Sequence, residues 1–115
     1  MEPWQLQRLA QLEVDRCLRG MPVALREEIE ACAIHLESMD ALDPDCLGRF
    51  EGLPFGLEPG LPAELPQIRI FIGALWLWSN RQRGEFRRQV RVTLLHELGH
   101  FLGWDEGQVA ALGLE

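Results

Sequence analysis

The 115 residues contain no lysine and no tyrosine. All eleven basic residues are arginine, set against eighteen acidic residues, and the net charge is −7 at pH 7. Binding to nucleic acid requires cations that displace phosphate counterions. An acidic chain of this kind is therefore not a general nucleic-acid binder. The absence of tyrosine leaves any active site without a phenolic hydrogen-bond donor. Cysteine is sparse: Cys17, Cys32 and Cys46 are odd in number, widely spaced, and form no C-x-x-C pair. This excludes a disulfide framework and a zinc ribbon, and fits a reduced cytosolic setting. The longest apolar run, Ile70 to Trp78, is far short of the roughly 20 residues that span a bilayer. The opening Met1-Glu2-Pro3-Trp4 has neither the basic nor the apolar part of a secretory signal. The expectation is a soluble, cytoplasmic protein with neither membrane nor nucleic acid as a partner.

Hydrophobic residues make up 47% of the chain and charged residues 25%, which is ordinary globular usage. The length suits a single domain over residues 1–115 with one modest core. Charge is unevenly spread. Residues 27–64 hold ten acidic residues and one basic, Arg49, whereas residues 81–91 hold five arginines and one glutamate. Such runs read as solvated faces, or in the arginine case as a patch that steers an acidic partner.

Periodicity predicts an amphipathic helix over residues 4–19, stopped by Gly20 and Pro22, with one further turn at Val23 to Glu28. Alternation over residues 29–37 predicts a strand. Asp43-Pro44 suggests a turn. Residues 48–66 carry four glycines and four prolines, which reads as a long ordered loop. The β-branched start of Ile68 to Trp78 predicts a strand, with Gly73 as a bulge or end point and Trp76 and Trp78 in the core or at a lip. Glu85 to Leu102 predicts the main helix, burying Phe86, Val90, Leu94, Leu98 and Phe101. Gly103 ends it, and Asp105 can cap a short helix running to Leu114. The fold class that follows is α+β, a small sheet packed on an N-terminal helix and this main helix.

The main helix carries His96-Glu97-Leu98-Gly99-His100, an H-E-x-x-H motif. Residues four apart share one helix face, so both imidazoles can reach one metal ion. Glu97 is rotated by about 100° from His96 and can contact a water on the metal without binding the ion. A catalytic zinc site needs a third protein ligand and one open position. The extension Gly103-x-x-Glu106 offers it: glycine lets the chain turn sharply, and Glu106 returns beneath the metal. Asp105 competes for that role. His35, a lone histidine on a strand, reads as structural, with a role beside the metal as the alternative.

The extended motif resembles that of the zincin metallopeptidases, with metzincin spacing and Glu106 in place of a third histidine. The chain as a whole resembles the minimal zincins, short bacterial zinc metallopeptidases, along nearly its full length. The carrying segments are Leu47-Gly48-Arg49-Phe50-Glu51-Gly52, with Arg49 inserted relative to the simpler family form, the apolar strand Ile68 to Ile72, and the motif helix. No methionine stands downstream of Glu106, where metzincins have their methionine turn. The resemblance implies a Zn²⁺ cofactor held by His96, His100 and Glu106. It further implies Glu97 as general base in peptide-bond hydrolysis, and an unidentified peptide or protein as substrate. His35 or an arginine of residues 81–91 would stabilise the oxyanion, or the zinc would act alone, and an extended peptide could add to an exposed strand near Ile68–Ile72. A zinc-binding regulatory module, a hydrolase of non-peptide amides or esters, and a partner-binding domain using the acidic face remain as alternatives.

Overall fold

The two long helices begin and end where local chemistry directs. Helix α1 (Pro3–Arg19) starts with proline at its first position and a capping box in which the Glu2 N–H donates to Gln5 Oε1 at 2.7 Å. The motif helix, α4 (Arg83–Leu102), ends at Gly103 with φ +71°, the left-handed conformation that glycine adopts without strain. The Trp104 N–H then donates to the Gly99 carbonyl at 2.8 Å, closing the last turn. The computed structural model describes residues 1–111, and of Glu106 and Val109 the backbone alone. Between and after the long helices lie α2 (Val23–Ile29), β1 (Ala33–Glu37), β2 (Gly48–Glu51), a 3₁₀ turn (Pro62–Glu64), β3 (Gln67–Phe71), α3 (Ile72–Trp78) and α5 (Glu106–Ala110).

Three expectations are corrected. The strand predicted over 29–37 starts only at Ala33, because the turn after Pro22 continues helically to Ile29. The loop predicted over 48–66 opens as a strand, β2, whose four residues pair with β3. Its neighbouring glycines and prolines hide so short an edge strand from a composition reading. The apolar run from Ile68 changes from strand to helix at Ile72, and Gly73 lies in the first turn of α3 instead of forming a bulge. A Cβ at Gly73 would approach the Ser38 carbonyl oxygen to 2.7 Å, so that contact excludes any larger residue. The short last helix reaches Ala110, and the predicted extension over 112–114 lies outside the described residues.

The sheet has the order β1-β3-β2. The central strand β3 is parallel to β1, with Ile34 opposite Ile68, and antiparallel to β2, with Phe50 opposite Ile68. One face of the sheet packs on α4. Phe86, Val90, Leu94, Leu98 and Phe101 are all buried as expected, against Ile68 and Ile70 of β3 and Leu6, Ala10 and Val14 of α1. Each large side chain so buried contributes about 1.5–3 kcal/mol of transfer free energy. Trp76 packs edge-on against Phe86, while Trp78 is exposed.

The other face of the sheet is polar. Arg69, at the centre of β3, pairs with Glu37 on β1 and Glu51 on β2, and Arg49 bridges Glu51 and Asp40. Of the arginine run, Arg87 and Arg91 reach across to Glu13 of α1 at 3.2 and 3.6 Å. Glu13 is buried, so these two cations neutralise a carboxylate inside the helix pair. Arg87 and Arg91 thus clamp Glu13, while Arg81, Arg83 and Arg88 are exposed as the solvated-face reading expects.

Candidate metal centre

The motif sits in the last turns of α4, where the sheet edge covers the helix. His96 and His100 are exposed at the rim, and their Nε2 atoms lie 3.2 Å apart. Two nitrogens bound tetrahedrally to one zinc at 2.0–2.1 Å would be about 3.3–3.4 Å apart. The donor pair is therefore already spaced for one ion. Glu97 lies beside them, tucked against β2, and is only 8% exposed. Its carboxylate and the two imidazole nitrogens lie within 4.8 Å of one another, and among the described residues no further ligand joins this group.

Burial pushes the Glu97 carboxyl above its ordinary range. The His96 and His100 imidazoles oppose that shift, as does the backbone N–H of Phe50, which donates to the carboxylate. Phe50 is free to donate because of its strand register. The Phe71 N–H donates to the Leu47 carbonyl, so odd-numbered residues of β2 face β3 and the backbone groups of Gly48 and Phe50 face outward. The outward edge of β2 is thus the wall of a cleft whose floor is Glu97 and His100, with Pro54 at one end.

Gly48 brings this wall so close. A Cβ there would lie 2.5 Å from Thr93 Cγ2 and 3.5 Å from Glu97 Cγ. Only glycine lets β2 rest on α4 at this point. Neither Gly48, Phe50, Thr93 nor Pro54 was singled out as a site residue from sequence. Gly48-Arg49-Phe50 beside a turn was the available signal, but it acquires meaning only when the helix lies beneath it.

The third candidate ligand, Glu106, begins α5 just after the Gly103 turn, and its side chain lies outside the described residues. Asp105 has another role. Its Oδ1 accepts the Gln108 N–H at 2.8 Å, and the Gln108 side chain accepts the Asp105 N–H at 2.9 Å, a reciprocal helix cap.

Two expectations about the surroundings are corrected. The strand at Ile68–Ile72 cannot accept a peptide, because β3 is paired on both sides; the free edge beside the motif is that of β2. His35 has the structural place first read for it on a strand, and is remote from the motif, so its alternative role beside the metal falls. It lies on β1, the far edge of the sheet, and its Nε2 meets Gln67 Oε1 at 2.9 Å on the face turned away from α4. The arginines are also committed or distant. Arg87 and Arg91 bind Glu13, Arg88 binds Glu85, and Arg83 starts the helix about 20 Å along its axis from His96.

Compared with known protein families, residues 18–114 match the family described as zincin-like metallopeptidase. The chain belongs to that family. The match leaves out most of α1, and contains the sheet, the cleft and the whole motif helix of this zincin-like protein. No curated protein matches the chain. Among the described residues no helix is long and apolar enough to cross a membrane.

Proposed function

We propose that this zincin-like protein is a zinc-dependent peptidase, with His96, His100 and Glu106 as metal ligands and Glu97 as general base. The observation that carries the reading is the convergence of the two imidazole Nε2 atoms at 3.2 Å above a buried carboxylate. Zinc, when bound, supplies a Lewis acid that polarises the scissile carbonyl and brings the pKa of a water toward 7. Glu97 accepts a proton from the attacking water and passes it to the leaving amine. Its burial favours holding that proton between the two transfers, and the Phe50 N–H orients the carboxylate. The Phe50 N–H is held by Glu97, and the outward backbone of Gly48 and the Phe50 carbonyl offer an extended peptide an edge to pair with. That edge favours peptides over other amides or esters as substrates. His35 and the arginines of residues 81–91 lie elsewhere, and Arg49, which lines the cleft, has its guanidinium held by Asp40 and Glu51. With no described cationic side chain assigned to the oxyanion, a slow hydrolase is expected. Losing such a donor typically costs about 2.7–4 kcal/mol of barrier.

The test is Glu97→Gln, assayed on a mixed peptide library after zinc loading, with metal content measured by mass spectrometry. The variant should keep one zinc per chain, while its turnover falls by about 10²–10⁴-fold. Wild-type turnover in Glu97→Gln overturns the mechanism. A wild-type chain that takes up no zinc overturns the metal assignment.

A further inference from the structure

The loop after β2 builds a second groove, of about 440 Å³, lined chiefly by Leu53, Pro54, Phe55, Leu57, Leu65 and Phe101. Three of its walls are unusually exposed apolar side chains: Phe55 at 47%, Leu57 at 59% and Leu65 at 50%. The groove is ordered by specific bonds. The Phe55 N–H donates to the Phe101 carbonyl at 2.7 Å, and the Leu53 N–H donates to the Glu64 carbonyl at 2.9 Å. Phe101 directly follows His100, and its ring meets Phe50 at 6.0 Å and Phe55 at 5.8 Å between centroids. The groove is therefore tied to both the motif helix and the cleft wall. Pro54 lines groove and cleft alike, so the two surfaces are continuous.

We infer that this groove is a specificity subsite, and that it takes a bulky apolar side chain on the N-terminal side of the scissile bond. The polarity follows from the strand. β2 runs from Gly48, above Thr93 and Glu97, toward Glu51, and the groove lies beyond its C-terminal end. An antiparallel partner, the more stable pairing, runs the opposite way. Its residues N-terminal to the bond above Glu97 then reach Pro54 and the groove. An apolar occupant covers Phe55, Leu57 and Leu65, and leaves no polar group of its own unpaired there.

The inference rests on the peptidase reading, and two experiments keep the two apart. In the first, the zinc-loaded chain is offered peptides that vary one position at a time. A leucine or phenylalanine at one position N-terminal to the cut should be preferred over serine by at least about tenfold, the scale of apolar-pocket discrimination. Leu57→Ser and Phe55→Ala should reduce that preference to near unity, chiefly by slowing cleavage of the leucine and phenylalanine peptides. Cleavage with no apolar preference on that side, or a preference untouched in both variants, overturns the subsite and leaves the peptidase reading standing. Failure to cleave any peptide overturns both. In the second, amide resonances are followed by NMR in the chelator-treated chain, using a leucine-containing hexapeptide and its serine counterpart as probes. The leucine peptide should shift residues 53–57 and the serine peptide should not; equal shifts, or none, overturn the subsite independently of turnover.

Discussion

Adding one methyl group at Gly48 tests how closely β2 must lie on the motif helix. In Gly48→Ala the new Cβ falls 2.5 Å from Thr93 Cγ2, about 0.9 Å inside the 3.4 Å at which ordinary contact begins. Thr93 cannot easily move. It is buried, it sits in the middle of α4, and a β-branched side chain has few open rotamers on a helix. The Arg69 carbonyl, 3.3 Å from the same Cβ, blocks a shift toward β3. Overpacking of this kind costs about 1–3 kcal/mol. Replacing glycine recovers about 0.4–1 kcal/mol by restricting the unfolded chain. The net loss should be about 1–2 kcal/mol, and at about 4 °C per kcal/mol for a chain of this length Tm falls by about 4–8 °C. The sharper assay is a double-mutant cycle with Thr93→Ser, followed by urea unfolding. Thr93→Ser removes Cγ2 and should cost about 1 kcal/mol alone. In the double variant the alanine methyl occupies the vacated space, so the two losses should fall short of their sum by about 1 kcal/mol or more. Additivity within about 0.5 kcal/mol would refute the claim that Gly48 and Thr93 set this contact.

Four further outcomes are expected. Glu106→Ala should weaken zinc binding by at least about tenfold in a competition titration, the smallest loss typical even of groups that only support a ligand. Asp105→Ala should instead leave zinc affinity unchanged and cost about 0.5–2 kcal/mol of stability through its lost cap; the reverse pattern would exchange the two roles. Glu13→Ala should destabilise by about 1–3 kcal/mol in urea unfolding, because it opens a gap between α1 and α4 and removes the buried acceptor of two partly exposed arginines; unchanged stability would show their pairing to be idle. Burial alone would raise the Glu51 carboxyl pKa, but hydrogen bonds and charge from Arg49 and Arg69 outweigh it and hold it below its usual 4.5. The folded state thus releases this proton more readily than the unfolded one, so its contribution is full above about pH 5 and is lost as pH falls below 4.5. Glu51→Gln should flatten that part of the stability curve, and an unchanged acid limb would contradict the assignment.

Much of this zincin-like protein is local, and was therefore legible in the chain. Helix α1 follows from a proline start, a glycine stop and 3.6-residue periodicity. Helix α4 follows from the spacing of Phe86, Val90, Leu94, Leu98 and Phe101, and its end from Gly103. The pairing of His96 with His100 needs nothing beyond helical geometry, since four residues make about one turn. The errors lie where partners are distant. Residues 48–51 become a strand only because β3 offers a partner. The stretch at Ile68–Ile72 is closed to peptides only because β1 and β2 flank it. His35 and the arginines are placed by sheet order and by Glu13, neither of which leaves a mark within a few residues of them.

The sequence by itself therefore determined the family, the α+β class, the motif helix and the spacing of its two histidines, because each is carried by neighbours within one or two turns. The tertiary structure alone decided which strand edge faces the motif and what surrounds Glu97. It also decided where an apolar groove joins the cleft, because those depend on long-range pairing and on Gly48 letting a strand rest against a helix that follows it by more than thirty residues.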